Sequence, residues 1–296
     1  MFRRVVISHM KILSYLKDNQ ISIGVLNGNE IININGIFPD TFTLIKEGNS
    51  GLEMIAEYID RGNVTLDNWH DVEILSPIPE IKRNIICIGW NYLKHFEERF
   101  RQDIDLPSKP TVFTKATSSV AGPYESIPSM TDFTKELDYE AELAVVIGKE
   151  GKDISAENAD EHIFGYMVAN DISARDIQRE HGGQWFMGKG MDKSCPMGPW
   201  IVTKDEIKNK QNLSITCKLN GEVVQSSNTN LMIFSINEII STLSNAMTLM
   251  PGDIILTGTP NGVGFRRTPP YFLKHGDVVE VSVSEVGTIR NKIVDA

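Results

Sequence analysis

The chain has 296 residues, 41% of them hydrophobic, and carries 29 basic against 39 acidic side chains for a net charge of −10 at pH 7. That length accommodates one large domain or a main domain with a small companion, and the acidic balance argues against nucleic acid or an anionic membrane as the main partner. Cys87, Cys195 and Cys217 are widely spaced without a CxxC pair, so neither a disulfide framework nor a zinc site is indicated, and no apolar run approaches the length of a bilayer span.

Residues 1–9 read as an N-terminal extension, basic but too short and too polar for a secretory signal, with Met10 as a more conventional start. The cysteine usage fits a reducing cytoplasm; a mitochondrial address is the second reading. Residues 10–75 read as a small N-terminal α/β unit. Short strands at 21–26 and 30–34 surround an Asn27-Gly28 turn, and 51–59 has helical spacing. No catalytic constellation falls in this unit. Residues 76–84, with Pro77 and Pro79, read as a linker.

Residues 85–296 show many short apolar runs separated by Gly, Pro and Asn turns, so the expected fold class is mostly β (α+β). Strands and helices do not alternate, which argues against a doubly wound sheet. One helix is expected from Ser235, where Ser235 and Glu238 form a capping box ahead of an amphipathic run to Met247. Gly252-Asp253 and Gly276-Asp277 are turns that open strands.

The chemistry concentrates around residues 136–148. An apolar run ending at Gly148 predicts a covered strand, and alternation puts Asp138, Glu140 and Glu142 on one face. These acids are either a wet strand end or a cleft that holds a hard cation. Asp171 follows the apolar run 164–169 at a strand end; alone it reads best as a helix N-cap for the segment near Ser173. Together with Glu140 and Glu142 it completes the carboxylate set that Mg²⁺ prefers. His95 and Glu98 lie three apart on a helical stretch, either as a surface pair or as an oriented general base. Lys189, between turn residues, is an exposed lysine or a cation for an oxyanion. Lys115, ending the strand 111–115, is a weaker candidate of the same kind. Arg175 and Gln178, one helical turn apart, could clamp a substrate carboxylate or decorate a surface helix. The stretch Gly258-Thr259-Pro260-Asn261-Gly262-Val263-Gly264 lacks the Lys-Ser/Thr of a phosphate loop and reads as a tight loop that brings Thr259 to a ligand.

Ile88-Gly89-Trp90-Asn91-Tyr92 with His95 and Glu98, then Asp138 to Leu143, Asn170 to Asp176, Lys189 and Thr257 to Gly264, resemble in order and spacing the fumarylacetoacetate hydrolase family, from about residue 84 to 294. The segment Gly221 to Thr229 resembles the domain-containing branch of that family in particular. The resemblance implies a mixed β-roll or β-barrel catalytic domain, a homodimer, and Mg²⁺ or Mn²⁺ on Glu140, Glu142 and Asp171. It implies a water-activating His95–Glu98 dyad on a lid, Lys189 at the developing charge, and Arg175, Gln178 and Thr259 around the substrate, with Lys115 nearby. The implied activity is hydrolysis of a C–C bond in a 2,4-dioxo acid such as an acylpyruvate. The alternatives are decarboxylation of oxaloacetate, isomerisation or hydration of an unsaturated 2-oxo diacid, and a non-catalytic metal-binding regulator. Two departures from the family pattern bear on the substrate: Lys189-Gly190-Met191-Asp192, and Trp90 beside Asn91, which narrows the pocket.

Overall fold

The computed structural model describes residues 10–99 and 105–295, so the expected extension at 1–9 lies outside the described residues. Runs of Val, Ile and Leu bounded by turn residues become short strands. The first are β1 (Lys11–Lys17), β2 (Gln20–Asn27), β3 (Glu30–Asn33) and β4 (Thr65–Asn68), with helix α1 (Thr41–Asp60) between β3 and β4. Next come β5 (Ile85–Gly89), helix α2 (Leu93–Arg99), β6 (Thr111–Lys115), β7 (Ala141–Ile147), β8 (Ile163–Asn170), helices α3 (Arg175–Glu180) and α4 (Phe186–Lys189), and β9 (Cys195–Thr203). The last are β10 (Ser214–Leu219), β11 (Glu222–Asn228), helix α5 (Ile236–Ala246), β12 (Ile254–Leu256), β13 (Val278–Val283) and β14 (Gly287–Val294).

A 12-stranded sheet runs β4-β3-β2-β1-β9-β8-β7-β12-β5-β6, with two short strands paired to β1 and β9 at its side. A 5-stranded sheet, β11-β10-β13-β14 and then Ile127–Pro128, faces it. Strand β7 shows how the layers assemble, because all seven of its residues are buried. Leu143, Val145 and Ile147 share a core with Ile215, Val281 and Ile289 of the smaller sheet. Ala144 and Val146 share the opposite core with Leu44, Ile45 and Ile55 of α1. A strand covered on both sides needs no polar face, which explains its continuous apolar run.

The N-terminal strands extend the same sheet. β1 pairs antiparallel with β9, Lys11 opposite Val202 and Ile12 opposite Ile201. The proline-rich segment is fastened to it: the Ser14 hydroxyl donates to the Pro77 carbonyl at 2.9 Å. The β2–β3 turn falls one residue later than expected, since Asn27 pairs with Glu30 and leaves Gly28-Asn29 as the loop, with Gly28 at φ +66°. Helix α1 starts ten residues earlier than the 51–59 spacing indicates. Asp40 caps it by accepting from Thr43 N at 2.7 Å, and a break at Gly48 (φ 57°) divides it. Helix α5 has Ser235 as N-cap, with both bonds of the expected capping box in place.

Candidate active site

β7 and β8 are antiparallel, with Ala141 opposite Asn170 and Glu142 opposite Ala169. The pairing continues past the strand ends, where Asp171 N donates to Glu140 O at 2.9 Å. Neighbouring strands lie about 4.8 Å apart, so side chains of the same face at paired ends come within reach of one ion. Accordingly, carboxylate oxygens of Glu140, Glu142 and Asp171 all lie within 4.8 Å of one another. The three residues are only 5%, 1% and 0% exposed, which removes the wet strand-end reading. Asp171 caps no helix either: α3 begins at Arg175, behind Ala174, without a side-chain cap.

Buried carboxylates need compensating charge or hydrogen bonds. Lys189 Nζ lies 2.8 Å from Glu140 Oε2 and 2.7 Å from Asp171 Oδ2, and is itself 1% exposed rather than a surface lysine. Arg175 Nη2 lies 2.6 Å from Glu140 Oε1, and Lys115 Nζ 2.8 Å from Asp171 Oδ1. Glu142 differs from its neighbours. Its Oε2 accepts from Gly258 N at 2.5 Å, and among the described residues it forms no ion pair. Burial, then Asp171 and Glu140 beside it, pushes the Glu142 carboxyl well above the usual range. Glu140 goes the other way: against the desolvation of its burial, Lys189 and Arg175 hold its carboxyl well below the usual range. An all-oxygen set of three buried carboxylates, one of them lacking a cation, is able to hold a divalent ion.

Asp138 does not join this set, contrary to the alternation that placed it with Glu140 and Glu142. Leu137–Asp138 is a separate short strand paired with Ser173–Ala174, and the chain leaves strand geometry before β7 begins at Ala141. Its oxygens accept from Gly264 N at 2.7 Å, Phe265 N at 3.2 Å and Arg175 Nε at 2.9 Å. Asp138 therefore orients Arg175 and ties down the loop at 264–265.

The other candidates gather around a small cavity of about 30 Å³. His95, Glu140, Arg175, Gln178, Lys189 and Thr259 form its polar side. His95 is 6% exposed, so it is no surface residue, and its Nδ1 lies 3.2 Å from Glu98 Oε2. The other Glu98 oxygen accepts from Gly262 N at 3.3 Å, which links α2 to the loop after β12. Arg175 Nη1 lies 3.3 Å from Gln178 Oε1. Lys115 stands apart. Fully buried behind Asp171, it donates to Ile172 O at 3.0 Å and to Lys189 O, lies 2.8 Å from Asp171 Oδ1, and does not border the cavity.

Sequence reasoning missed two groups here. Gln225 donates from Nε2 to Thr259 Oγ1 and Pro260 O, both at 2.9 Å, and accepts from Ala141 N at 3.0 Å, which fastens the Thr259 loop to β7. Its only signal is a buried amide in a strand, which alternation does not single out. The aromatic side of the cavity, with Phe113, Trp185 and Phe265 beside Trp90, was legible only as scattered aromatics.

Residues 84–294 match the fumarylacetoacetate (FAA) hydrolase C-terminal family. The human mitochondrial oxaloacetate tautomerase FAHD2B is 43% identical over 272 residues, covering 90% of this chain and 85% of its own. The oxaloacetate tautomerase YisK of Bacillus subtilis (strain 168) is 46% identical over 243 residues, covering 81% and 80%. Among solved structures, a fumarylacetoacetate hydrolase from psychrophilic Exiguobacterium antarcticum superposes with a TM-score of 0.85 at 37% identity, over 97% of this chain and 100% of that one. A 2-hydroxyhepta-2,4-diene-1,7-dioate isomerase from Mycobacterium marinum superposes at 0.74 with 30% identity, over 97% and 98%. Sequence and fold agree over nearly the whole length, and the chain belongs to the fumarylacetoacetate hydrolase family.

Proposed function

We propose that this protein is a divalent-cation-dependent keto–enol tautomerase for a 2-oxo diacid of the oxaloacetate class. The observation that carries the reading is Glu142, a buried carboxylate that forms no ion pair among the described residues, grouped with Glu140 and Asp171 beside a cavity bordered by His95 of the His95–Glu98 pair. Relatives at 43% and 46% identity are named oxaloacetate tautomerases, which favours the isomerase-type alternative over C–C hydrolysis.

Glu140, Glu142 and Asp171 would hold Mg²⁺, or Mn²⁺ with the same oxygen preference; bound there, the ion would act as a Lewis acid that favours the enolate form of a chelated 2-oxo acid. The reaction moves one proton: the enol loses its O–H proton, C3 gains one, and no atom of water enters the product. Glu98 favours the His95 tautomer that donates from Nδ1, which leaves Nε2 to carry the proton. Lys189 and Arg175 supply fixed positive charge beside the forming oxyanion, already aimed by Glu140, Asp171 and Asp138. Lys115 acts on Asp171 rather than on substrate.

The likeness to a fumarylacetoacetate hydrolase favours a second reading, in which His95 activates water for cleavage of an acylpyruvate. One experiment separates the two. The decay of enol absorbance of freshly dissolved oxaloacetate is followed with enzyme and Mg²⁺, with and without chelator, alongside product analysis on acylpyruvates. The expected result is chelator-sensitive acceleration of enol–keto relaxation without extra CO₂. Background relaxation rates together with carboxylic acid released from an acylpyruvate would reverse the assignment.

A further inference from the structure

The cavity has one wall built to stay where it is. Gly89 ends β5, and a Cβ placed there would lie 2.8 Å from Cζ3 and 3.0 Å from Cη2 of Trp185, so the indole is seated directly on the backbone. Phe113 of β6 holds it from another side, ring centroids 5.0 Å apart at 62°. Trp90 meets it edge to face, centroids 4.7 Å apart at 84°. Trp90 itself has φ +51°, a left-handed backbone rare for a bulky residue and sustained only where surroundings enforce it. Behind Trp185, α4 packs against α3 so closely that a Cβ on Gly188 would lie 2.6 Å from Gln178 N and 2.7 Å from Ala174 O.

The room inside is about 30 Å³, enough for about two waters. A bound acid must therefore displace wall side chains or extend through the open side of the cavity, and on its closed side its length is limited by the wall that does not yield. We infer that Trp90 and Trp185 form a length-setting clasp. With the 2-oxo acid end held on the polar side, four-carbon diacids fit, and longer 2-oxo diacids and acylpyruvates collide with the seated indole. The inference rests on the 2-oxo diacid reading above and adds to it the residues that select among such acids.

Binding is measured by calorimetry with Mg²⁺ present, for wild type and for Trp185→Leu, Trp185→Phe and Trp90→Leu. The ligands are oxaloacetate, 2-oxoglutarate, 2-oxoadipate and 2-oxopimelate, and thermal unfolding first shows which variants are folded. Wild type is expected to favour the four-carbon over the seven-carbon acid by about tenfold or more, since one misplaced methylene in a tight pocket is already worth about that and the two acids differ by three. Opening the clasp at either tryptophan is expected to shrink that ratio by about threefold or more, with Trp185→Phe intermediate. An unchanged ratio in the folded variants, no length preference in wild type, or no binding of any acid would overturn the clasp. The functional reading fails separately, if wild type shows the length preference yet leaves enol–keto relaxation at its background rate.

Discussion

Replacing Lys115 by Met tests whether this lysine braces the acid cluster or touches substrate. In the folded protein its ammonium meets Asp171 Oδ1 at 2.8 Å, Ile172 O at 3.0 Å and Lys189 O, with the whole side chain buried. Met fills a similar length without charge. Among the described residues Asp171 then keeps only Lys189 as an ion-pair partner. The Ile172 carbonyl loses this donor, while Lys189 O still accepts from Ser194 Oγ at 3.1 Å. Breaking a buried ion pair costs about 3–5 kcal/mol, and an orphaned carbonyl adds about 1–3 kcal/mol. The two losses share one site and will not add in full. A net loss of about 4 kcal/mol lowers Tm by roughly 6 °C in a chain of this size. Scanning calorimetry on the chelated protein measures it, and steady-state kinetics on oxaloacetate runs in parallel. A Lys115 that bound substrate would instead raise KM and leave Tm nearly alone. A Tm drop of less than about 2 °C combined with a clearly raised KM would refute the bracing argument.

Other outcomes follow from the same geometry. His95→Ala should slow enol–keto relaxation by about 10²–10⁴-fold and leave cation-induced stabilisation intact, since His95 is not among the three carboxylates; enol absorbance and thermal unfolding read the two effects. Without a cation, the raised Glu142 carboxyl favours the protonated fold, so this stability is present below the ordinary Glu value of about 4.3 and is lost as pH rises through the raised value. Glu142→Gln should flatten that pH dependence in chelator and abolish the Tm gain from Mg²⁺, which for wild type at a hundred times Kd is worth about 2.7 kcal/mol. Gly258→Ala places a Cβ 2.8 Å from Asn91 Cβ at φ +99° and disturbs the amide that donates to Glu142, so it should cost about 1–3 kcal/mol and weaken cation binding.

The acids that come together were legible because strand geometry converts sequence spacing into position. Glu140 and Glu142 bracket the start of one covered strand and Asp171 follows the end of its neighbour, so their meeting depended only on those two strands being adjacent. Asp138 was misplaced by the same rule, carried one step past the point where the chain leaves strand geometry. The break in α1 defeated the helical reading of residues 41–50 for a related reason: Gly48-Asn49-Ser50-Gly51 carries breaker chemistry, and only packing of Leu44 and Ile45 against the sheet keeps a helix in front of it. Lys115 and Lys189 looked like surface lysines because burial of a lysine is decided by acids distant in sequence. Trp185 was invisible as a site residue, since its position depends on the bare backbone of Gly89, almost a hundred residues earlier.

The charges around the cluster explain why family likeness fixes so much and still leaves the reaction to be measured. Among the described residues, four buried carboxylates, Asp138, Glu140, Glu142 and Asp171, face three buried cations, Lys115, Arg175 and Lys189, so Glu142 is left without an ion-pair partner and its carboxyl is pushed towards the protonated form. A divalent ion supplies that partner and, with Glu142 ionised, leaves a single positive charge, suited to a 2-oxo acid whose reaction builds an enolate. Hydrolysis, decarboxylation and tautomerisation all pass through such an anion, so the ionic part of the site serves each equally. On the proposed reading, what separates tautomerisation of a four-carbon acid from cleavage of an acylpyruvate is the fate of one proton at His95 and the length of acid that the cavity admits. The first depends on how Glu98 holds the imidazole, and the second on two indoles that carry no charge. Under the proposed function, selection by acid length therefore falls to Trp90 and Trp185 and the proton step to the His95–Glu98 pair, and substitutions there should change which acids react, and how fast, while leaving cation binding unchanged.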